Sequence, residues 1–174
     1  MLNPKIQDAL NKQINAELFS SYLYLSMSAW FESKNFAGMA NWMRIQAQEE
    51  LLHAIKFFDF INERRGRVVL TQVEAPQTEW SVPLEAFENA LEHEEKVTAL
   101  INGLVDLSLA ESDHAANTFL QWFVTEQVEE EAAAQTIVDK LKLVGDNPVA
   151  LFMIDGELGQ RMPPPAAGAA SSAP

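Results

Sequence analysis

Apolar residues recur at alternating spacings of three and four along most of the chain, which is the pattern of amphipathic α-helices. No glycine or proline interrupts the first of these stretches between Pro4 and Gly38. Proline and glycine cluster instead between the patterned stretches, where turns and connections are expected. The pattern predicts four long helices, over residues 4–32, 36–65, 83–111 and 113–144, and a short fifth helix over residues 149–158.

Capping residues support these boundaries. Asn3-Pro4 and Asn147-Pro148 each place a capping side chain before a proline at the first helical position. Ser112-Asp113 provides a turn and a cap for the fourth helix. Gly66 and Gly145 follow the second and fourth helices, so we expect both glycines to end them, with Gly66 in the left-handed conformation.

The connection over residues 66–82 is long for a link between neighbouring helices. Its β-branched start, together with Pro76 and Pro83, keeps it out of a helix. Roughly 17 extended residues can span more than 50 Å, whereas a 29-residue helix is about 43 Å long. The segment can therefore run back along the whole bundle, which would make the second and third helices parallel. We predict an all-α protein, with a four-helix bundle and a short fifth helix over residues 1–160 and a disordered Pro/Ala-rich tail over residues 161–174.

Each long helix carries one acidic residue where its apolar pattern calls for a hydrophobic one. Glu17 and Glu50 are equally distant from the turn predicted at residues 33–35, and Glu94 and Glu130 are equally distant from residues 112–113. Residues equally distant from a hairpin turn lie side by side. The four carboxylates should therefore meet at one level of the bundle core.

His53 and Gln127 each lie one turn from one of these acids. Converging carboxylates cannot all remain ionised without cations, because like charges at short distance repel strongly. The chain has no cysteine, so a metal would be held by oxygen and imidazole, a set that suits iron or manganese. A single Glu-x-x-His spacing or a single acid on an apolar face is common without any metal, but four matched acids are not.

The charge balance agrees with a cation-binding protein. Asp and Glu number 25 against 12 Lys and Arg, for a net charge of −13. Such a field repels nucleic acid and anionic membranes and attracts cations. We see neither a membrane-spanning run nor a secretory signal, so we expect a cytoplasmic protein without nucleic-acid or membrane partners.

This constellation resembles that of the non-haem ferritins of bacteria and archaea, over residues 1 to about 160. The pattern that carries the resemblance is Glu17 … Glu50-x-x-His53 … Glu94 … Gln127-x-x-Glu130. It implies a di-iron ferroxidase centre, with one iron on Glu17, Glu50 and His53. The second iron would be bound by Glu94 and Glu130, with Glu50 as a bridge and Gln127 near the oxygen-binding face.

The resemblance implies further roles outside this central set. A third iron would be bound at the inner face by Glu49, Glu126 and Glu129, with Glu130 shared; an ordinary solvated acidic face is the alternative for these residues. Tyr24 would be a hydrogen-bonding or electron-donating neighbour of the irons, or a core tyrosine whose hydroxyl is satisfied. His93 and His114 are expected at the surface.

The implied function is iron storage and detoxification. Fe2+ would be oxidised with dioxygen or peroxide, and ferric mineral would be deposited inside a shell of about 24 subunits. The apolar residues of the fifth helix have no place in a four-helix core, so we expect them at channels between subunits. Haem is not expected, because Leu51 stands where related haem-binding proteins carry a methionine.

Two other classes share parts of this pattern. A rubrerythrin-type oxidoreductase would reduce peroxide without storage, but it usually carries a cysteine-bound iron site. A DNA-coating mini-ferritin takes its ligands from a subunit interface and favours a basic tail, whereas residues 162–174 are uncharged. Chromatography with iron loading would separate the three classes.

Overall fold

The computed structural model describes residues 2–163, which fold into five α-helices. They are α1 (Pro4–Ser33), α2 (Ala37–Glu63), α3 (Pro83–Ala110), α4 (His114–Val144) and α5 (Pro148–Leu158). The predicted all-α fold class and the five helices are confirmed. Of the tail predicted over residues 161–174, the part from residue 164 onward lies outside the described residues. Within the described part, no helix is both long and apolar enough to cross a membrane.

Side chains cap three helices at the predicted starts. The Asn3 side chain accepts a hydrogen bond from the Lys5 N–H at 2.9 Å, which caps α1. Asp113 does the same for the Ala116 N–H at 3.0 Å in α4. Asn147 accepts from two N–H groups at the start of α5. These bonds satisfy donors that a helix leaves free at its first turn.

The end of α2 differs from the prediction, because Arg65 rather than Gly66 is left-handed, with φ of 57°. The N–H groups of Arg65 and Gly66 donate to the carbonyls of Asn62 and Ile61, which is the Schellman arrangement one residue earlier than expected. Gly66 leaves room for neighbouring side chains instead. A Cβ atom there would lie 2.9 Å from the Gln7 Oε1 atom and from the Ile61 Cγ2 atom.

The connection between α2 and α3 runs along α1, as predicted. Its contacts advance in step with α1: the Val69 N–H donates to Asn11, Asn15 donates to Thr71, and Ser26 donates to the Gln77 carbonyl, at 2.8, 2.9 and 2.6 Å. The chain therefore returns to the end of the bundle where α2 began. This makes α2 and α3 parallel and produces the crossover of a ferritin-like bundle.

The bundle core consists of two apolar clusters. One surrounds Tyr24 and Phe31 and includes residues of α5, and the other surrounds Phe57 and Phe123. The buried amide, carboxyl and imidazole side chains lie at the intermediate level of the helices, namely Gln13, Glu17, Gln46, Glu50, His53, Glu94 and Gln127. A polar layer inside an apolar core must be stabilised by hydrogen bonds, protons or cations.

The fifth helix packs against the same subunit more than predicted. Ile154 and Leu158 are buried in the first apolar cluster, so the expectation that the apolar residues of α5 have no place in the core is wrong for Ile154. Val149, Phe152 and Met153 are exposed by 69%, 77% and 69%. One face of α5 thus completes the core, and the other face is exposed within residues 2–163.

A carboxylate of α5 anchors that helix to the start of α2. No side chain caps α2 from its own N-cap position, and the Met39 N–H donates to the Asp155 Oδ1 atom at 2.8 Å. Gly38 permits this approach, because a Cβ atom there would overlap the backbone carbonyl of Asp155. The two helices are in direct backbone contact at this point.

We expect Gly38→Ala to displace α5 and to lower the melting temperature by about 5 °C, since overpacking costs about 1–3 kcal/mol. Thermal unfolding followed by circular dichroism measures this effect. Gly103→Ala is the matched control, because nothing lies near a Cβ atom at that helical position. The control should stabilise the protein by about 0.5–1 kcal/mol. Equal melting temperatures for the two variants would contradict this account of α5.

Candidate metal centre

Three overlapping groups of carboxylate and imidazole side chains occupy the polar layer of the described structure. Within each group, one ligand atom per residue lies within 4.8 Å of the others. The groups are Glu17, Glu50 and His53; Glu50, Glu94 and Glu130; and His53, Glu126 and Glu130. Glu50 belongs to the first two groups, which places it between two candidate metal positions.

The helices deliver these side chains at one level. Glu50 and His53 are one turn apart on α2, and the His53 Nδ1 atom lies 3.4 Å from the Glu50 Oε2 atom. The same nitrogen lies 4.0 Å from the Glu130 Oε1 atom on α4. These three side chains are only 1–8% exposed. The sequence symmetry about the two turns thus corresponds to a real convergence of side chains.

Burial and mutual repulsion hold protons on most of these acids. Burial, with the Glu50 charge next in importance, raises the pKa of Glu17 and Glu130 well above the usual range and that of Glu94 to about 8. Burial also acts on Glu50, but the hydrogen bonds and charge of His53 and the Gln46 amide outweigh it and lower the Glu50 pKa. The metal-free layer therefore contains one ionised acid among protonated neighbours.

Two buried carboxylate oxygens of this layer are unsatisfied. The Glu17 Oε2 and Glu130 Oε2 atoms have no hydrogen-bond partner among the described residues. An unpaired buried oxygen costs free energy, about 1–3 kcal/mol for a neutral group and more for a charged one. Two cations between the groups would be bound by these oxygens and would replace the protons. The donor set fits divalent or trivalent iron, which favours carboxylate and imidazole ligands.

Two glutamines that were not predicted from the sequence position the acids. The Gln13 amide donates to the Glu17 Oε1 atom at 2.8 Å, and the Gln46 amide donates to the Glu50 Oε1 atom at 2.9 Å. Gln46 also donates to the Glu130 Oε1 atom at 3.0 Å. The signal was present in the sequence, because each glutamine precedes its acid by four residues on a helix.

Tyr24 and Gln127 both contact Glu94. The buried Tyr24 hydroxyl donates to the Glu94 Oε1 atom, and the Gln127 amide lies 3.3 Å from the Glu94 Oε2 atom. Burial and the nearby Glu94 raise the pKa of Tyr24 well above its usual range, so the phenol stays protonated. Each side chain therefore orients Glu94.

The acids predicted for a third iron are only partly brought together. Glu126 lies with His53 and Glu130. Glu49 is paired with Arg161 instead, and Glu129 is exposed. Burial raises the pKa of Glu49, although Arg161 opposes this effect. The third site stays a prediction in which Glu49 would have to change partners.

The two other histidines differ from each other. His114 is exposed at the start of α4, as expected. The surface position predicted for His93 is wrong: it is half-buried, its Nε2 atom lies 2.7 Å from the Ser20 hydroxyl, and burial lowers its pKa. The reason is that Phe19 and Tyr24 of α1 cover its ring, at centroid distances of 5.7 and 6.2 Å.

Comparison with known proteins identifies the family. The family model described as the ferritin-like domain matches residues 7–144. This chain belongs to the ferritin family. A bacterial non-heme ferritin of Bacteroides fragilis is 50% identical over 161 residues, which cover 92% of this chain and 100% of the relative. A bacterial non-heme ferritin of Staphylococcus saprophyticus is 40% identical over 161 residues, which cover 92% of this chain and 96% of that relative.

Solved structures agree with this family. An engineered closed form of the Archaeoglobus fulgidus ferritin superposes with a TM-score of 0.93 and 52% identity, over 94% of this chain and 100% of the other. An open-pore ferritin from the same archaeon superposes with a TM-score of 0.92 and 53% identity, over 93% of this chain and 100% of the other. The ferritin-like fold and the family predicted from the sequence are confirmed, and iron storage is confirmed with them.

Proposed function

We propose that this protein oxidises Fe2+ at a di-iron centre inside each subunit and stores the product as ferric mineral within a homo-oligomeric shell. One iron would be bound by Glu17, Glu50 and His53, and the other by Glu94 and Glu130, with Glu50 bridging the two. The single observation that carries this proposal is the pair of overlapping ligand groups that share Glu50. The unsatisfied oxygens of the layer support it.

The protonation state of the layer suits this reaction. Binding of two Fe2+ displaces protons from the carboxyl groups, because the raised pKa values mean that most of them are protonated without metal. Each Fe2+ then gives up one electron. Dioxygen accepts the two electrons with two protons to form hydrogen peroxide, or peroxide accepts them with two protons to form two waters. The displaced protons are thus available to the reduced oxygen.

The groups around the centre have supporting roles in this proposal. Tyr24 and Gln127 hold Glu94 in place on opposite oxygens, so both would be neighbours of the iron that Glu94 binds. Glu126, Glu129 and Glu130, with Glu49, would bind a third iron on the outer wall of the bundle. Haem has no part, because Leu51 follows Glu50 on α2 and carries no ligand atom.

Storage requires an enclosed space that one subunit does not provide. We infer a closed shell of about two dozen copies, located in the cytoplasm. The exposed apolar residues Val149, Phe152 and Met153 of α5 would pack around channels between subunits. The net charge of −13 would concentrate Fe2+ at the shell and offer nucleation points to the mineral.

Crystals soaked anaerobically in Fe2+ test the centre directly. We expect anomalous peaks at the two positions that share Glu50, and a weaker third peak beside Glu126. Size-exclusion chromatography of iron-loaded protein should show a shell of several hundred kilodaltons that retains iron. Absence of iron from the polar layer would contradict the proposed ferroxidase. A dimer that reduces peroxide without retaining iron would favour a rubrerythrin-type enzyme.

A further inference from the structure

Arg161 forms an ion pair with Glu49 beside the candidate metal centre. The Arg161 guanidinium, three residues beyond α5, pairs with Glu49 and donates to the Gln46 Oε1 atom at 2.9 Å. It also lies over the Trp42 ring, 4.4 Å from the ring centroid. Arg161 and Glu49 are only 24% and 25% exposed, so water screens this pair less than it would a pair on the open surface.

This arginine is held in place by the docked fifth helix. Asp155 accepts the Met39 N–H, and the Asn41 amide donates to the carbonyls of Gly159 and Arg161 at 3.4 and 3.2 Å. The backbone that carries the guanidinium is therefore fixed along α2 from residue 155 to residue 161. A tethered cation of this kind loses little entropy when it pairs with Glu49.

A short chain of hydrogen bonds connects Arg161 to the metal centre. Gln46 accepts from Arg161 through its carbonyl oxygen and donates through its amide to Glu50 and Glu130, at 2.9 and 3.0 Å. The guanidinium thus fixes the orientation of the amide that contacts two candidate iron ligands. It also pairs with Glu49, an acid predicted for the outer site but absent from the ligand group of His53, Glu126 and Glu130 that marks this site.

We propose that Arg161 is a tethered counter-ion that competes with metal for Glu49. This competition makes metal binding at the outer site weaker than at the inner pair, the two metal positions that share Glu50. The inference rests on the proposed function of Glu49 as a ligand of that outer site. A metal ion and a guanidinium cannot both pair closely with the one carboxylate at the bundle wall, since the two cations repel each other. An ion binds Glu49 only when Arg161 withdraws, so the outer site fills after the inner pair.

Calorimetric titration of the metal-free, assembled protein with Zn2+ alone tests this competition. We expect two tight ions per subunit and a weaker third ion in the wild type. Arg161→Gln should tighten the third ion about fivefold, the factor that corresponds to a partly exposed ion pair. Arg161→Lys, which keeps the charge, should restore wild-type affinity. Zn2+-soaked crystals of the wild type should show the guanidinium displaced from Glu49.

Arg44→Gln is the matched control, because it also removes one arginine charge. Arg44 lies on α2 and forms an exposed pair with Glu32, away from Glu49. This substitution should leave the third affinity unchanged. A third affinity that is unchanged or weaker in Arg161→Gln, with the inner pair intact and the melting temperature maintained, would overturn the inference alone. Failure of the wild type to bind any Zn2+ in the polar layer would instead overturn the proposed function.

Discussion

The double substitution of Glu50 and His53 by alanine is expected to slow Fe2+ oxidation by more than about a hundredfold and to leave the shell assembled. Glu50 belongs to both inner ligand groups, and His53 is the imidazole that completes the first one. Loss of a partner that only orients a metal ligand already lowers metal affinity or activity by about 10- to 100-fold. Removal of the shared ligand itself should cost more, because neither iron position keeps a full set.

Assembly should survive because these side chains do not stabilise the metal-free fold through packing. Glu50 is an ionised carboxylate in a core that otherwise favours neutral groups, and its charge raises the pKa of Glu17, Glu94 and Glu130. His53, whose hydrogen bond and charge stabilise ionised Glu50, is removed together with it, so no buried charge is left without its partner and the remaining cost is that of the cavity. Size-exclusion chromatography should therefore show the wild-type elution volume.

Stopped-flow absorbance of Fe3+ formation measures the rate for this variant. A matched control replaces Glu92 and His114, which are both exposed, by alanine. The control removes the same two side-chain types outside the centre and should oxidise iron at the wild-type rate. If the Glu50 and His53 variant also kept the wild-type rate, the ferroxidase centre would have to lie elsewhere.

The sequence predicted the parts of this molecule that depend on local pattern. The caps at Asn3, Asp113 and Asn147 act within one turn of the chain, so their effect follows from residue type and position. The meeting of Glu17 with Glu50 follows from equal distances to a tight turn. Such distances are set by the regular rise of two antiparallel helices and require no knowledge of the remaining structure.

The parts that were missed depend on tertiary contacts. The position of Arg161 is set by the docking of α5 onto Gly38, a contact between residues more than a hundred positions apart. The burial of His93 depends on rings contributed by α1. Neither follows from the pattern of a single helix. The role of Gln46 was within reach, because an amide four residues before a buried acid is a local signal.

The metal-free protein is expected to lose stability as the pH rises from about 5 to about 8. The pKa of Glu94 is about 8 in the folded protein, against an ordinary value of 4.5. The folded state therefore binds this proton more tightly than the unfolded state does. The resulting stability is fully present below the ordinary pKa and is lost as the pH rises through about 8. Glu17 and Glu130 act in the same direction, since their pKa values are also raised.

Glu50 acts in the opposite direction, because its pKa is lowered. Its contribution is present above the ordinary pKa and is lost only as the pH falls through the lowered value, outside the window considered. The three carboxyl groups with raised pKa values therefore determine how stability changes between pH 5 and 8. A loss of about 3 kcal/mol in this window would lower the melting temperature by roughly 10 °C for a domain of this size.

Divalent ions should reverse this loss, and most strongly at pH 8, because the ions replace protons that the carboxyl groups have already lost. Each occupied site adds about 2.7 kcal/mol when the free ion is at a hundred times its dissociation constant. Scanning calorimetry at pH 5, 6.5 and 8, with chelator or with Zn2+, measures both effects. Glu94→Gln should reduce the pH dependence in chelator, since a neutral amide of the same shape has no proton to lose, and should weaken the Zn2+ effect. A chelated wild type that becomes more stable from pH 5 to 8 would show that the buried carboxyl groups are already ionised, and the electrostatic basis of the metal centre would then be wrong.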